Sequence, residues 1–401
     1  MSFVSTFNSL STNGWSAKGS GGYSPIYVLA NTNVGTDVAI SENGNYVIAS
    51  NAIANTAGIV KVYTVNNNVL INQANIIGNL EGSNLVGGFG QSIDIDYDGT
   101  RFISGAPSTG PNAIPNFGPR GAARIYVRDG TTWSYEQQIN APNANVTAFG
   151  QAVTINNSGD IVAIAENWVY GTHIVRTYSR TGNTWASLAN ISSPSSNNIA
   201  FGSAIAIDGN NTLVVGAFRA NTNGTFSGAA YVYNSNTGSL LATLLASDGV
   251  AGDNFGADVN ISNDGNTIVV TAPGVNSTTG AAYVYKGAGS SWTEVQKLLP
   301  FGNVSTYGIK SEDTTPQGIS GNGSIIAISS SFDGSNSTAN YTSLLTYIDS
   351  SNTNSYVSTQ QIQYPAAQFF GSVVDINYSG SLMITSAGNN GSTGNLILLG
   401  Q

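Results

Sequence analysis

A chain of 401 residues with 41% hydrophobic residues, but only 8% charged ones where about a quarter is usual, wets its surface with Asn, Ser, Thr and Gly. A formal charge of −9, with 12 scattered Lys and Arg against 21 acidic residues, excludes the basic field that a nucleic-acid backbone requires. No cysteine and a single histidine, His173, exclude disulfide frameworks, thiolate metal sites and histidine clusters.

In chain order, residues 1–22 have neither a basic n-region nor an apolar h-region and do not read as a secretory signal. No apolar run approaches the roughly 20 residues a membrane helix needs. Residues 23–29 (YSPIYVL) read as a strand with no partner nearby in sequence. From Val34 onwards the chain repeats itself seven times at a spacing of about 56 residues. The clear copies start at Phe89, Phe149, Phe201, Phe255 and Phe370; weaker ones start near Val34 and Asp313. In each clear copy the fourth and sixth residues after the Phe are aliphatic, as Ile93 and Ile95 or Val259 and Ile261, which is the period of a strand. A glycine turn follows, as Asp98-Gly99 or Asp264-Gly265, and supplies the positive φ of a tight hairpin. Next come a dense aliphatic strand such as 268–270, a polar loop of variable length, and a third strand ending on aromatics (GAARIYV from Gly121, GAAYVY from Gly228 and Gly280). A fourth strand is often opened by Trp: Trp133, Trp185, Trp292.

Four antiparallel strands per repeat, seven repeats and no linker give an all-β fold: a single domain over 1–401, a seven-bladed propeller with blades starting near 34, 89, 149, 201, 255, 313 and 370. The last copy stops after its third strand at 395–399. Strand 23–29 is therefore expected to serve as the missing fourth strand and to close the ring. No helix of any length is expected.

These residues resemble the FG-GAP repeat propellers, similar in fold to integrin α-subunit heads, through the Phe-Gly pairs, Gly105-Ala106-Pro107, and the partial forms Gly216-Ala217-Phe218 and Thr271-Ala272-Pro273. The stretch 247–254 before Phe255 resembles the inter-blade linker of the bacterial and phage branch. The resemblance implies a binding module far more often than an enzyme. It also implies calcium in the first hairpin of a blade, and Asp94, Asp96 and Asp98 carry the first half of that loop pattern. The closing carboxylate is absent, and Arg101 stands where it would repel a cation. The expectation is therefore a chain without cofactor, with calcium at those three residues as the alternative to a plain hairpin turn. Asp248 and Asp253 are read as caps on linker amides, and His173 as a loop-edge residue.

Variable loops between second and third strands hold the candidate ligand-binding residues: Phe117 and Arg120, Trp168 and Tyr170, and Phe218, Arg219 and Phe226. The alternative is that they cover neighbouring blades. The adhesin-like surface without an export signal leads to a non-enzymatic recognition or structural module, a virion surface component such as a fibre, spike or decoration protein. Its partners would be protein or glycan on a host or virion surface, with no nucleic acid and no membrane insertion. A cellular adhesin exported by a non-standard route is the alternative, and a calcium-dependent or glycan-processing enzyme the third reading.

Overall fold

The computed structural model describes residues 16–19, 23–30, 32, 34–52, 57–78, 87–108, 120–143, 146–166, 173–195, 198–300, 306–307, 317–331, 342–349, 353–363, 373–389 and 393–401. Seven antiparallel sheets stand in a ring. Blade 1 runs Val38–Ile40, Tyr46–Asn51, Ile59–Asn66, Val69–Ile77, and blades 2 to 5 repeat the pattern from Ile93–Ile95, Val153–Ile155, Asn198–Ile207 and Val259–Ile261. Each first strand lies at the axis and each fourth strand at the rim, as the repeat predicts. The one helix among the described residues is a four-residue turn, Val275–Thr278, and none is long and apolar enough to cross a membrane.

The core is divided into seven hydrophobic clusters, each shared by two neighbouring blades. A single blade has two apolar faces and can cover neither, so stacking around a ring is what buries them. One cluster joins blade 7 (Ile384, Leu396, Leu398) to blade 1 (Val38, Ile40, Val47), which makes the ring complete. Among the described residues the Phe of the Phe-Gly pairs fills these interfaces: Phe255 is 1% exposed and meets Tyr283 and Tyr285 edge-on at 5.5 and 6.2 Å, and Phe201 meets Tyr233 edge-on at 6.1 Å and Tyr231 at a tilt at 5.9 Å.

The glycine of the pair has a geometric cause. Gly256 has φ +90°, and a Cβ there would lie 2.2 Å from the Ala229 carbonyl oxygen; Gly216, in the preceding blade, faces the Gly256 carbonyl just as closely. Two backbones touch where the blades meet, and no side chain fits between them. The hairpin glycines take positive φ as expected, and in blade 4, where the turn reads Asp208-Gly209-Asn210-Asn211, Asn211 takes that conformation instead.

Closure follows the sequence expectation. β1 (Ser16–Gly19) and β2 (Ser24–Leu29) precede blade 1, and β2 is the fourth strand of blade 7, antiparallel to Thr393–Gly400 with Ser24 opposite Gly400 and Leu29 opposite Leu396. Blade 6 differs from the rest. Besides Gln317–Ile319, Ile325–Ser331, Thr342–Ile348 and Val357–Gln363, its sheet takes in Thr306–Tyr307 and, along its outer edge, β1. The starts of the sixth and seventh copies, at Asp313 and Phe370, lie outside the described residues.

Candidate functional site

Three regions concentrate polar chemistry. The first is the axis. Residues that alternate with the aliphatic positions of the first strands point off the core face, and four of them are aspartates: Asp94 and Asp375 within the strands of blades 2 and 7, and Asp37 and Asp258 immediately before those of blades 1 and 5. With Glu42 they line an axial cavity of about 360 Å³ whose lining, among the described residues, contains no Lys, Arg or His. Each aspartate clasps the next blade. Asp37 accepts from the Ile93 amide at 2.8 Å, Asp94 from the Ile155 amide at 2.9 Å and the Thr154 hydroxyl at 2.7 Å, Asp258 from the Gln317 amide at 3.2 Å, and Asp375 from the Ile40 amide at 2.9 Å. Their second oxygens accept the amide of the following residue in their own strand. A first strand is a sheet edge, so its outward amides need partners, and these carboxyls supply them. Burial pushes Asp37, Asp258 and Asp375 up to about 7, Asp94 to about 6 and Glu42 to about 8, against the pull of the amide bonds.

The hairpin end of this axis is knitted by backbone bonds from blade to blade: Asn43 to Tyr97, Tyr97 to Asn157, Gly209 to Asn263, Asp264 to Gly321, Asn322 to Tyr378 and Tyr378 to Glu42, at 2.9–3.3 Å. Between blades 3 and 4 the side chains of Asn156 and Asn211 make the link at 2.8 Å. Tyr97 and Tyr378 meet edge-on across it at 6.2 Å.

The second region is the hairpin of blade 2. Asp94, Asp96 and Asp98 do not converge. Asp94 faces the axis; Asp96, 2% exposed, caps its own turn through Thr100; Asp98 is exposed and accepts from the Asn43 side chain at 3.4 Å. Arg101 turns away to Glu136, which also receives Arg180 and the Trp185 indole at 3.1 and 2.9 Å. Among the described residues no group of three or more His, Cys, Asp or Glu side chains is placed to hold a metal ion. Asp253 caps the linker as read, accepting from the Val250 amide at 2.8 Å, whereas Asp248 accepts from the Tyr283 hydroxyl at 2.8 Å and pairs with Lys297 at 2.7 Å, which holds its carboxyl below the usual range. His173 directly precedes the third strand of blade 3, its imidazole pKa lowered by burial.

The third region is the opposite end, where second strands turn into third strands. In blade 4 the first two strands run longer than in the other blades, and the pairing extends to Asn198 opposite Ala220. Phe218 and Arg219 stand on this extension. The guanidinium of Arg219 lies 5.2 Å from the Phe218 ring and 5.8 Å from the Phe226 ring. Phe226 is 38% exposed and holds φ +57°, a conformation that bulky residues avoid. Surroundings enforce it: its amide donates to Asn221 Oδ1 at 2.8 Å, its carbonyl accepts the Asn254 amide at 3.0 Å, and the Thr225 carbonyl accepts the Gly252 amide at 2.9 Å. An aromatic ring is thereby held outward on a loop stitched to the blade 4–5 linker.

Of the other candidates, Arg120 sits at the junction of blades 2 and 3, where its carbonyl accepts the Phe149 amide at 2.9 Å, and does not join this cluster. Phe117, Trp168 and Tyr170 lie outside the described residues. The axial aspartates were missed as a set by sequence reading. Their signal was present: an acidic residue three or five places after the start of the copy in blades 1, 2, 5 and 7.

A family model described as FG-GAP repeat matches residues 192–233 and 239–285, which span blades 4 and 5 through their Phe-Gly pairs and third-strand tyrosines. The chain carries FG-GAP repeats. No curated protein matches it. Among solved structures, the β-propeller domain of Myceliophteria thermophila Cps50 (Swd1) is similar with a TM-score of 0.58 at 9% identity, covering 94% of this chain and 99% of that one. Kuenenia stuttgartiensis hydrazine synthase is similar with a TM-score of 0.56 at 11% identity, covering 89% and 93%. At such identities the likeness is one of fold.

Proposed function

We propose that this FG-GAP propeller is a non-enzymatic recognition and structural module on a virion surface, and that it meets host or neighbouring virion surfaces with the blade 4 platform. The observation that carries the reading is Phe226, a partly exposed aromatic held at positive φ beside Arg219 and Phe218 on an otherwise well-bonded loop. Strain of this kind costs about 1–3 kcal/mol and concentrates at ligand clamps. A rigid aromatic next to a cation is the usual anchor of protein and glycan recognition. The four axial aspartates have a structural occupation, since each bridges two blades.

Two measurements test the reading. Quantitative proteomics of purified virions is expected to recover the chain at structural-protein abundance; recovery from cell envelopes alone would replace the virion role with that of a cellular adhesin. Labelled protein on host cells and on a glycan array is expected to bind, with Phe226→Asn and Arg219→Ala each weakening binding at least about tenfold. Undiminished binding by both variants would remove the platform from the interface.

A further inference from the structure

Blade 6 carries a strand it does not need. Its own four strands complete the blade, yet β1 lies along the outer edge of Val357–Gln363, with Ser16 opposite Gln363 and Gly19 opposite Gln360. Among the described residues no other blade has an added strand on its rim. β1 itself is poor strand material: Ser, Ala, Lys and Gly, with no β-branched or aromatic residue. What holds it is the edge, whose unpaired amides and carbonyls accept any extended segment.

The chain is fixed just after β1. Tyr23 is 1% exposed; its amide donates to Gln360 Oε1 at 2.9 Å and its carbonyl accepts from Gln360 Nε2 at 2.6 Å, so a side-chain carboxamide stands in for one further strand pair. The Tyr23 hydroxyl donates to the Gly380 carbonyl in blade 7. Between Gly19 and Tyr23 the sequence is Ser20-Gly21-Gly22, a connection of three residues. Tyr23 and Gln360 are 337 residues apart. During folding β1 therefore exists long before its acceptor edge, and the edge of another copy offers it the same bonds.

We propose that the outer edge of blade 6 is an exchangeable strand acceptor: β1 of one copy pairs with Val357–Gln363 of a second copy when the protein folds at high local concentration. The contacts are those already present within one chain, so the balance depends on concentration. A short tether gives the intrachain partner an effective concentration of about millimolar, which assembly on a particle can match and dilute solution cannot.

The absence of cysteine makes the test clean. Lys18 and Gln361 are register partners, and a Lys18→Cys, Gln361→Cys double variant reports which chain supplies the strand. After refolding at roughly millimolar concentration and oxidation, covalent multimers are expected on a non-reducing gel, falling at least about tenfold when refolding is done at hundredfold dilution. An intrachain link alone, or no link, at every concentration overturns the proposal. The native sequence and a deletion of residues 1–22, refolded identically and measured by light scattering, give a second readout that needs no buried substitution. Multimers from the native sequence and monomer from the deletion are expected; equal multimerisation of both overturns it.

Discussion

Blades 5 and 6 stand side by side and reach the same shape by different means. Blade 5 has the full repeat: Phe255 in the interface, Gly256 against the Ala229 carbonyl, Tyr283 and Tyr285 around the ring, and four strands of its own. The sixth copy has Asp313-Thr314 in sequence where the clear copies have Phe-Gly, and the sheet of blade 6 is filled out by Thr306–Tyr307 and by β1. The repeat motif is thus a local solution to blade contact, and a blade without it is held by its neighbours. Asp258 reaches from blade 5 to the Gln317 amide, and the Gln317 side chain donates back to the Val269 carbonyl at 3.0 Å.

The sharpest break of this comparison is a pair of glycine substitutions. Gly256→Ala must place a methyl 2.2 Å from a carbonyl at φ +90° and is expected to cost more than about 3 kcal/mol or prevent folding. Gly318→Ala in the first strand of blade 6 would meet Ile376 Cγ1 at 3.0 Å with no positive φ, and a cost of about 1 kcal/mol is expected. Urea unfolding of both measures the difference; equal losses would mean that the two blades depend on glycine alike.

Acidity gives the next largest effect. The axial aspartates are raised by burial to about 6–7, so the native state binds more protons than the unfolded chain between pH 4 and 7. Their contribution to stability is complete at pH 4 and is lost as the pH rises through 7. A fall of about 2 kcal/mol between pH 5 and 8 is expected after discounting for the cavity-facing side of each carboxyl. Asp258→Asn should flatten this slope while loosening blade 6, which hydrogen exchange of the Gln317 amide would report; an unchanged slope refutes the assignment.

Smaller effects follow. Gln360→Ala removes both bonds to Tyr23 and is expected to cost about 1–2 kcal/mol, with faster exchange at the Tyr23 amide. Phe226→Asn, which relaxes the positive φ, is expected to raise stability by about 0.5 kcal/mol. A thermal midpoint that drops instead would show the ring to be packing rather than display.

Particular residues explain what could be read beforehand. The alternation of Val259 and Ile261, the turn at Gly265 and the tyrosines of GAAYVY each carry their structural cause locally, so blade, count and closing strand were legible. β1 was not, because Ser16–Gly19 has no alternation and owes its conformation to an edge more than three hundred residues away. Asp94 was singled out for its company with Asp96 and Asp98, but its partners Thr154 and Ile155 sit in another blade, a distance no local pattern encodes. Phe218, Arg219 and Phe226 could be assigned to one loop; their rings around one guanidinium required the long second strand of blade 4.

The pairing of β2 with Thr393–Gly400 also decides how the ring answers tension. Because Ser24 lies opposite Gly400, opposed pulls on these two residues load the ladder one hydrogen bond at a time, as a zip is opened, rather than all rungs together in shear. A particle that carried this propeller by those two points would hold it by its most easily peeled seam, and traction arriving from the amino-terminal side would reach the blade 6 edge first.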